Sequence, residues 1–142
     1  MTYLLDTVVL SEVRKRKPDA NVLSWLDSVA NSELHLSVIT CAEIERGIER
    51  QRAENPSFAD ELTRWLETLL NIYQDRVLPL DIPVARRWGS LGERLGNRSL
   101  DLAIAATALE HRLTVVTRNV SDFVPAGVAI LNPYDRLARR KR

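Results

Sequence analysis

The chain has 142 residues, 45% of them hydrophobic and 27% charged, and a formal net charge of +1; this length suits one domain with its own core, and this balance excludes disordered, collagen-like and fibrous chains. A single cysteine, Cys41, excludes an internal disulfide, no charged-then-apolar leader follows Met1, and the apolar runs are too short to cross a bilayer, so the expectation is one cytoplasmic domain over 1–142. The near-neutral balance neither demands nor forbids a polyanionic partner, but basic residues gather at Arg14, Lys15, Arg16 and Lys17 and again in the tail 136–142, at Arg136, Arg139, Arg140, Lys141 and Arg142.

Residues 2–5 form a short apolar run ending at Asp6, the pattern of a buried parallel strand. Val9, Leu10 and Val13 then share one helical face, Pro18 and Asp19 end that segment, and Val22, Leu23, Trp25, Leu26 and Val29 mark a second helix. Residues 34–38 read as the second strand. Thr40 is expected to open the next helix, which continues through Ile44, Gly47 and Ile48. Asn55 and Pro56 interrupt it, and Leu62, Trp65, Leu66, Leu69 and Leu70 recur at helical spacing over 58–73. Residues 77–80 read as the third strand, Pro83 starts a helix running to Gly96, and an Ala-rich helix covers 100–109. Strands are expected at 114–116 and 128–131, separated by a loop with Asn119, Asp122, Phe123 and Pro125. Such alternation predicts an α/β layered fold with a mainly parallel sheet of about five strands. In such sheets ligands bind beyond the carboxyl ends of the strands, which makes the residues there the functional candidates.

Asp6, Glu43 and Asp122 fall at such positions, while Asp101 opens the Ala-rich helix and reaches the same edge only as that helix packs. Asp6 ends an apolar stretch, where it suits either a helix cap or a metal ligand. Thr40 to Glu43 has the spacing of a capping box, the rival reading for Glu43, while Gly47 one turn later leaves the adjoining helix face open. Asp101 lies in the first turn of the Ala-rich helix with Ser99 as a cap, so the helix dipole alone accounts for it; Asp122 is equally suited to a turn, with Asn119 beside it. Drawn together, like charges persist mainly when a cation holds them. With only His35, His111 and Cys41 as softer donors, and no metal-ligand spacing among them, a hard oxygen-binding cation, Mg2+ or Mn2+, is expected rather than zinc. Val8 stands where a haloacid-type phosphatase needs a second aspartate. Lys15, Lys17 and Lys141 are the only lysines, which leaves a receiver domain without its late-strand lysine, and no phosphate-binding glycine loop occurs. Metal-assisted phosphodiester hydrolysis survives this elimination.

The segments Tyr3-Leu4-Leu5-Asp6-Thr7, Thr40-x-x-Glu43-x-x-x-Gly47, Asp101-Leu102-Ala103-Ile104-Ala105-Ala106-Thr107-Ala108 and Thr117-Arg118-Asn119-Val120-Ser121-Asp122-Phe123 resemble, in order and spacing, the PIN-domain toxins of the VapC and FitB type. The resemblance implies a single PIN-like α/β/α domain over 1–142, acting as a toxin ribonuclease that is usually dimeric and blocked by a small VapB- or FitA-like antitoxin. It matches Asp6, Glu43, Asp101 and Asp122 to the four acidic positions and Thr117 and Asn119 to the polar pair that supports them. One departure is the polar lead-in Asn97-Arg98-Ser99-Leu100 before Asp101. The expected chemistry is attack of water on an RNA phosphodiester, with Arg14, Arg16, Arg98 and Arg118 as candidate backbone contacts. The 58–73 helix is read as core, with dimerisation as the alternative. A catalytically silent RNA- or protein-binding module and a PIN-like DNA nuclease remain the competing functions.

Overall fold

A computed structural model describes residues 1–136, so the basic residues from Arg139 to Arg142 lie outside the described residues and only Arg136 of the tail is seen, exposed to solvent. Five strands, β1 (Tyr3–Leu5), β2 (Leu34–Ser37), β3 (Val77–Leu78), β4 (Thr114–Val116) and β5 (Ile130–Leu131), form one sheet in the order β3-β2-β1-β4-β5. The sheet is parallel throughout, not merely in the main. Leu5 pairs with Val116 and Leu36 with Val77, which aligns the carboxyl ends of the strands along one edge.

Side chains alternate across the strands and divide the core in two. Leu4 and Val115 face α5 (Ile82–Leu95) and α6 (Leu100–His111), where Val84, Leu91 and the α6 residues Leu102 to Ala106 are buried. Leu5 and Val116 face the other way, onto α1 (Thr7–Arg14), α2 (Ala20–Asp27), α3 (Val38–Glu54) and α4 (Pro56–Tyr73). Helices on both faces explain why the strands are apolar on both sides. Local chemistry sets the helix ends. Asn55 Oδ1 accepts from the Phe58 N–H ahead of Pro56, Asp81 Oδ1 accepts from Val84 N–H, and Gly96 ends α5 with a left-handed φ of 63°.

Several expectations change. Thr40 does not open α3: Ser37 does, its hydroxyl accepting from the Ile39 N–H at 3.0 Å, so no capping box forms and Thr40 is buried inside the helix. β3 stops at Leu78, since Pro79 has no N–H for the ladder, and β5 starts only at Ile130, after the left-handed Gly127. The loop after β4 contains a helical turn, α7 (Val120–Phe123), which plants Phe123 in the core. In α4, Leu62 and Leu69 are buried and Trp65 and Leu66 partly so, which spends most of its apolar stripe on the chain's own core and leaves Leu70 and Ile72 exposed.

Candidate active site

The topology brings Asp6 to the middle of the sheet, because β1 is the central strand. Asp6 N–H donates to the Val116 carbonyl at 3.0 Å, tying the start of α1 to the end of β4. Its carboxylate is nearly buried and doubly engaged: Oδ1 accepts from Thr7 N–H at 2.8 Å and Oδ2 accepts from the Thr117 hydroxyl at 2.8 Å. Thr117 Oγ1 in turn accepts from the Asn119 N–H at 3.0 Å, so Asn119 supports the site through its backbone. Capping and site geometry thus coexist at Asp6.

Glu43 reaches the same place from α3. Oε1 accepts from the Thr7 hydroxyl at 2.6 Å, and Thr7 Oγ1 lies 3.3 Å from Thr40 Oγ1. Thr7 and Thr40 therefore join the site as residues that sequence reasoning had not given these roles; the signal was a hydroxyl beside each acid, at Asp6-Thr7 and three residues before Glu43. Gly47 lies one turn beyond Glu43, and a Cβ there would meet nothing within 4 Å. Asp101 arrives in the first turn of α6, whose cap Ser99 accepts from Leu102 N–H, and Asp122 is exposed on α7.

Electrostatics joins these four groups. Burial pushes the Asp6 carboxyl above the ordinary aspartate value; the hydrogen bonds from Thr117 and Thr7 oppose this, and the charges of Glu43 and Asp122 add to it. Asp101 is raised by burial first and then by the charges of Asp6 and Asp122. Among the described residues no cation forms an ion pair with any of the four. The result is a concentration of uncompensated negative charge with only carboxylate donors, which fits a hard divalent cation. Among the described residues, no three carboxylate, imidazole or thiol side chains lie close enough together to hold an ion, and Asp6 and Glu43 instead accept from hydroxyl and amide donors. His111 lies in the last turn of α6, at the opposite end of that helix from Asp101.

The candidate nucleic-acid contacts are placed as follows. Arg14 is stacked over Trp65 at 4.9 Å, and Arg118 over Tyr134 at 4.6 Å. Arg16 and Arg98 are exposed.

The pattern of the PIN domain family matches residues 3–123, the span that carries all four acids. The chain belongs to the PIN-domain family. Within it, Toxin FitB of Neisseria gonorrhoeae is 36% identical over 137 residues, 92% of this chain and 97% of FitB. A VapC ribonuclease of Sinorhizobium fredii is 36% identical over 141 residues, 93% of this chain and 97% of that protein. The crystal structure of FitAcB from Neisseria gonorrhoeae superposes with a TM-score of 0.83 at 37% identity, covering 94% of this chain and 99% of that one. This PIN-domain protein is thus a homologue of the FitB and VapC toxins along nearly its whole length, and its all-parallel five-stranded sheet is the PIN-like α/β/α fold. No helix among the described residues is long and apolar enough to cross a membrane.

Proposed function

We propose that this protein is a metal-dependent endoribonuclease toxin that hydrolyses RNA phosphodiester bonds at Asp6, Glu43, Asp101 and Asp122 and is neutralised by a small VapB- or FitA-like antitoxin. The observation that carries the reading is geometric: at the carboxyl end of the central strand the Asp6 carboxylate accepts from the Thr117 hydroxyl, and the Thr7 hydroxyl next to Asp6 donates to Glu43, at the sheet edge where α/β folds bind ligands. The toxin and ribonuclease names of its relatives give the chemistry its direction.

A carboxylate donor set suits Mg2+ or Mn2+. When bound, such an ion supplies Lewis-acid stabilisation of the charge that develops on the phosphate oxygens. Asp6 and Asp101 would hold it, Asp6 from the end of the central strand and Asp101 from the first turn of α6. Glu43 and Asp122 orient the attacking water for in-line displacement, with Asp122 on the solvent side. Thr117 keeps the Asp6 carboxylate aimed by donating to Oδ2 while the Asn119 N–H holds the hydroxyl in place. Thr7 sets Glu43 in the same manner.

The test is cleavage of a total cellular RNA pool by purified, folded, antitoxin-free protein in manganese, magnesium or chelator, beside Asp101→Asn. Metal-dependent products missing from the variant are the expected result. Folded protein that binds RNA without cleaving it would instead make this a binding module, and cleavage confined to DNA would make it a DNA nuclease.

A further inference from the structure

On the α5–α6 side of the sheet lies a groove of about 440 Å3 that takes no part in the acid site. Arg86, Ser90 and Arg94 line it from successive turns of α5, with Arg87 and Glu110 beside them. Their four-residue spacing puts these side chains on one stripe of the helix. The Arg87 Nε and Nη2 both donate to Glu110 Oε2, at 2.9 and 2.7 Å, so Arg87 is neutralised. Arg86 and Arg94 are exposed and, among the described residues, have no carboxylate within ion-pair reach. The groove therefore keeps two uncompensated positive charges, separated along the axis by about 12 Å at 1.5 Å per residue.

The direction of the stripe gives it meaning. α5 and α6 form an antiparallel pair: Arg87 meets Glu110 at one end, while at the other Asn97 N–H donates to the Gly92 carbonyl at 3.1 Å. Gly92 permits that return, since a Cβ there would lie 3.0 Å from the Asn97 carbonyl oxygen. The chain then passes through exposed Arg98 to Ser99 and Asp101. The basic stripe thus rises along α5 and ends one short linker from the acid edge.

We propose that Arg86 and Arg94 form a track for the sugar–phosphate backbone of single-stranded RNA, holding the strand to one side of the bond presented to the acids. The proposal rests on the ribonuclease reading and adds where the strand runs. An acidic site repels its own polyanionic substrate, so affinity must come from positive charge set back from the acids, and two unpaired guanidiniums along one stripe supply it without sequence preference. Substrates long enough to reach α5 should then bind more tightly than those spanning only the acid edge.

The test measures binding of a long and a short single-stranded RNA in chelator, where no turnover is needed, by wild type and by Arg86→Gln/Arg94→Gln. Circular dichroism verifies the fold of the variant. The expected result is long-RNA affinity lower on the order of tenfold near 0.1 M salt and a log–log salt slope shallower by about 1.4, at about 0.7 per phosphate contact, with short RNA unaffected. Unchanged long-RNA affinity and slope, in a wild type that cleaves RNA in magnesium, would overturn the track and leave the ribonuclease standing. Wild type that neither binds nor cleaves RNA would overturn both. If the variant instead loses only binding to poly-glutamate, the groove serves an acidic polypeptide and the RNA assignment fails.

Discussion

Two carboxylates are both covered by neighbouring groups, Asp6 deep in the fold and Glu12 close to its surface, and they behave in opposite ways. Asp6 is 5% exposed and Glu12 4% exposed. Yet Asp6 holds its proton more tightly than usual, chiefly through burial, whereas Glu12 holds its proton less tightly, chiefly through its hydrogen bond with Lys15. Glu12 Oε1 accepts from Lys15 Nζ at 3.0 Å and from the Tyr134 hydroxyl at 2.9 Å, and Oε2 accepts from Asp19 N–H at 2.9 Å. Asp6 also has donors, but its charged neighbours are other acids. The contrast teaches that low exposure alone does not decide the state of a carboxylate: depth and the charge of the neighbours do. A cation and a full set of donors make Glu12 a structural clasp joining α1, α2 and the C-terminal segment, while like charges leave the Asp6 edge in need of a ligand.

The largest break in this comparison should come from Glu12→Gln, which keeps the volume but removes the charge facing three donors. Denaturant unfolding at neutral pH should show a loss of roughly 1–3 kcal/mol. Because the Glu12 pKa is lowered on folding, its contribution is present above the ordinary glutamate value and lost as the pH falls through the lowered one. Acid should therefore narrow the gap between variant and wild type; a constant gap would mean that charge is not what holds the clasp.

Thr117→Val attacks the other side by removing the donor to Asp6 and the acceptor of the Asn119 N–H. We expect about 1–2 kcal/mol of destabilisation and, with metal, RNA cleavage reduced roughly 10- to 100-fold. Full activity would detach Thr117 from the positioning of Asp6.

Asp101→Asn sharpens the contrast, since it should raise the melting temperature in chelator at pH 7 by a few degrees even as it disables cleavage. Asp101 binds its proton more tightly when folded, so the folded state is penalised as pH rises past the ordinary aspartate value, and the penalty disappears in acid. The advantage of asparagine should vanish with it. A variant less stable than wild type at neutral pH would show that the acids do not strain one another.

The smallest effect belongs to Gly47→Ala. With open space at the Cβ position, the substitution should stabilise α3 by roughly 0.5–1 kcal/mol. A clash-like loss of stability in thermal unfolding would contradict that space.

What could be read in the sequence was whatever has a short-range signature. Apolar runs ending in a polar residue marked the strand ends, and the helix periods between them implied parallel crossovers, so the layered fold and the place of Asp6 after the first strand followed, while the place of Asp101 depended on how α6 packs. Glu43 was ambiguous because Thr40 to Glu43 has capping-box spacing, and only the start of α3 three residues earlier, capped by Ser37, removes that reading. The role of Glu12 was hidden, because its partner Tyr134 lies 122 residues away and nothing local distinguishes this glutamate from others on a helix. Arg14 belonged to a basic run read as a candidate backbone contact, yet it stacks on Phe58 and Trp65 of a distant helix.

The strand order also governs when the site can exist. β1 is made first but finds its neighbour β4 only after most of the chain, and the Thr117–Asp6 hydrogen bond closes a separation of 111 residues. Non-local pairings of this kind form late in folding, after the loop-closure entropy has been met. During synthesis Asp6 therefore waits without Thr117, Asp101 or Asp122, and truncated chains ending before β4 carry no complete acid edge. For the toxin activity proposed above, the topology would tie that activity to completion of the polypeptide.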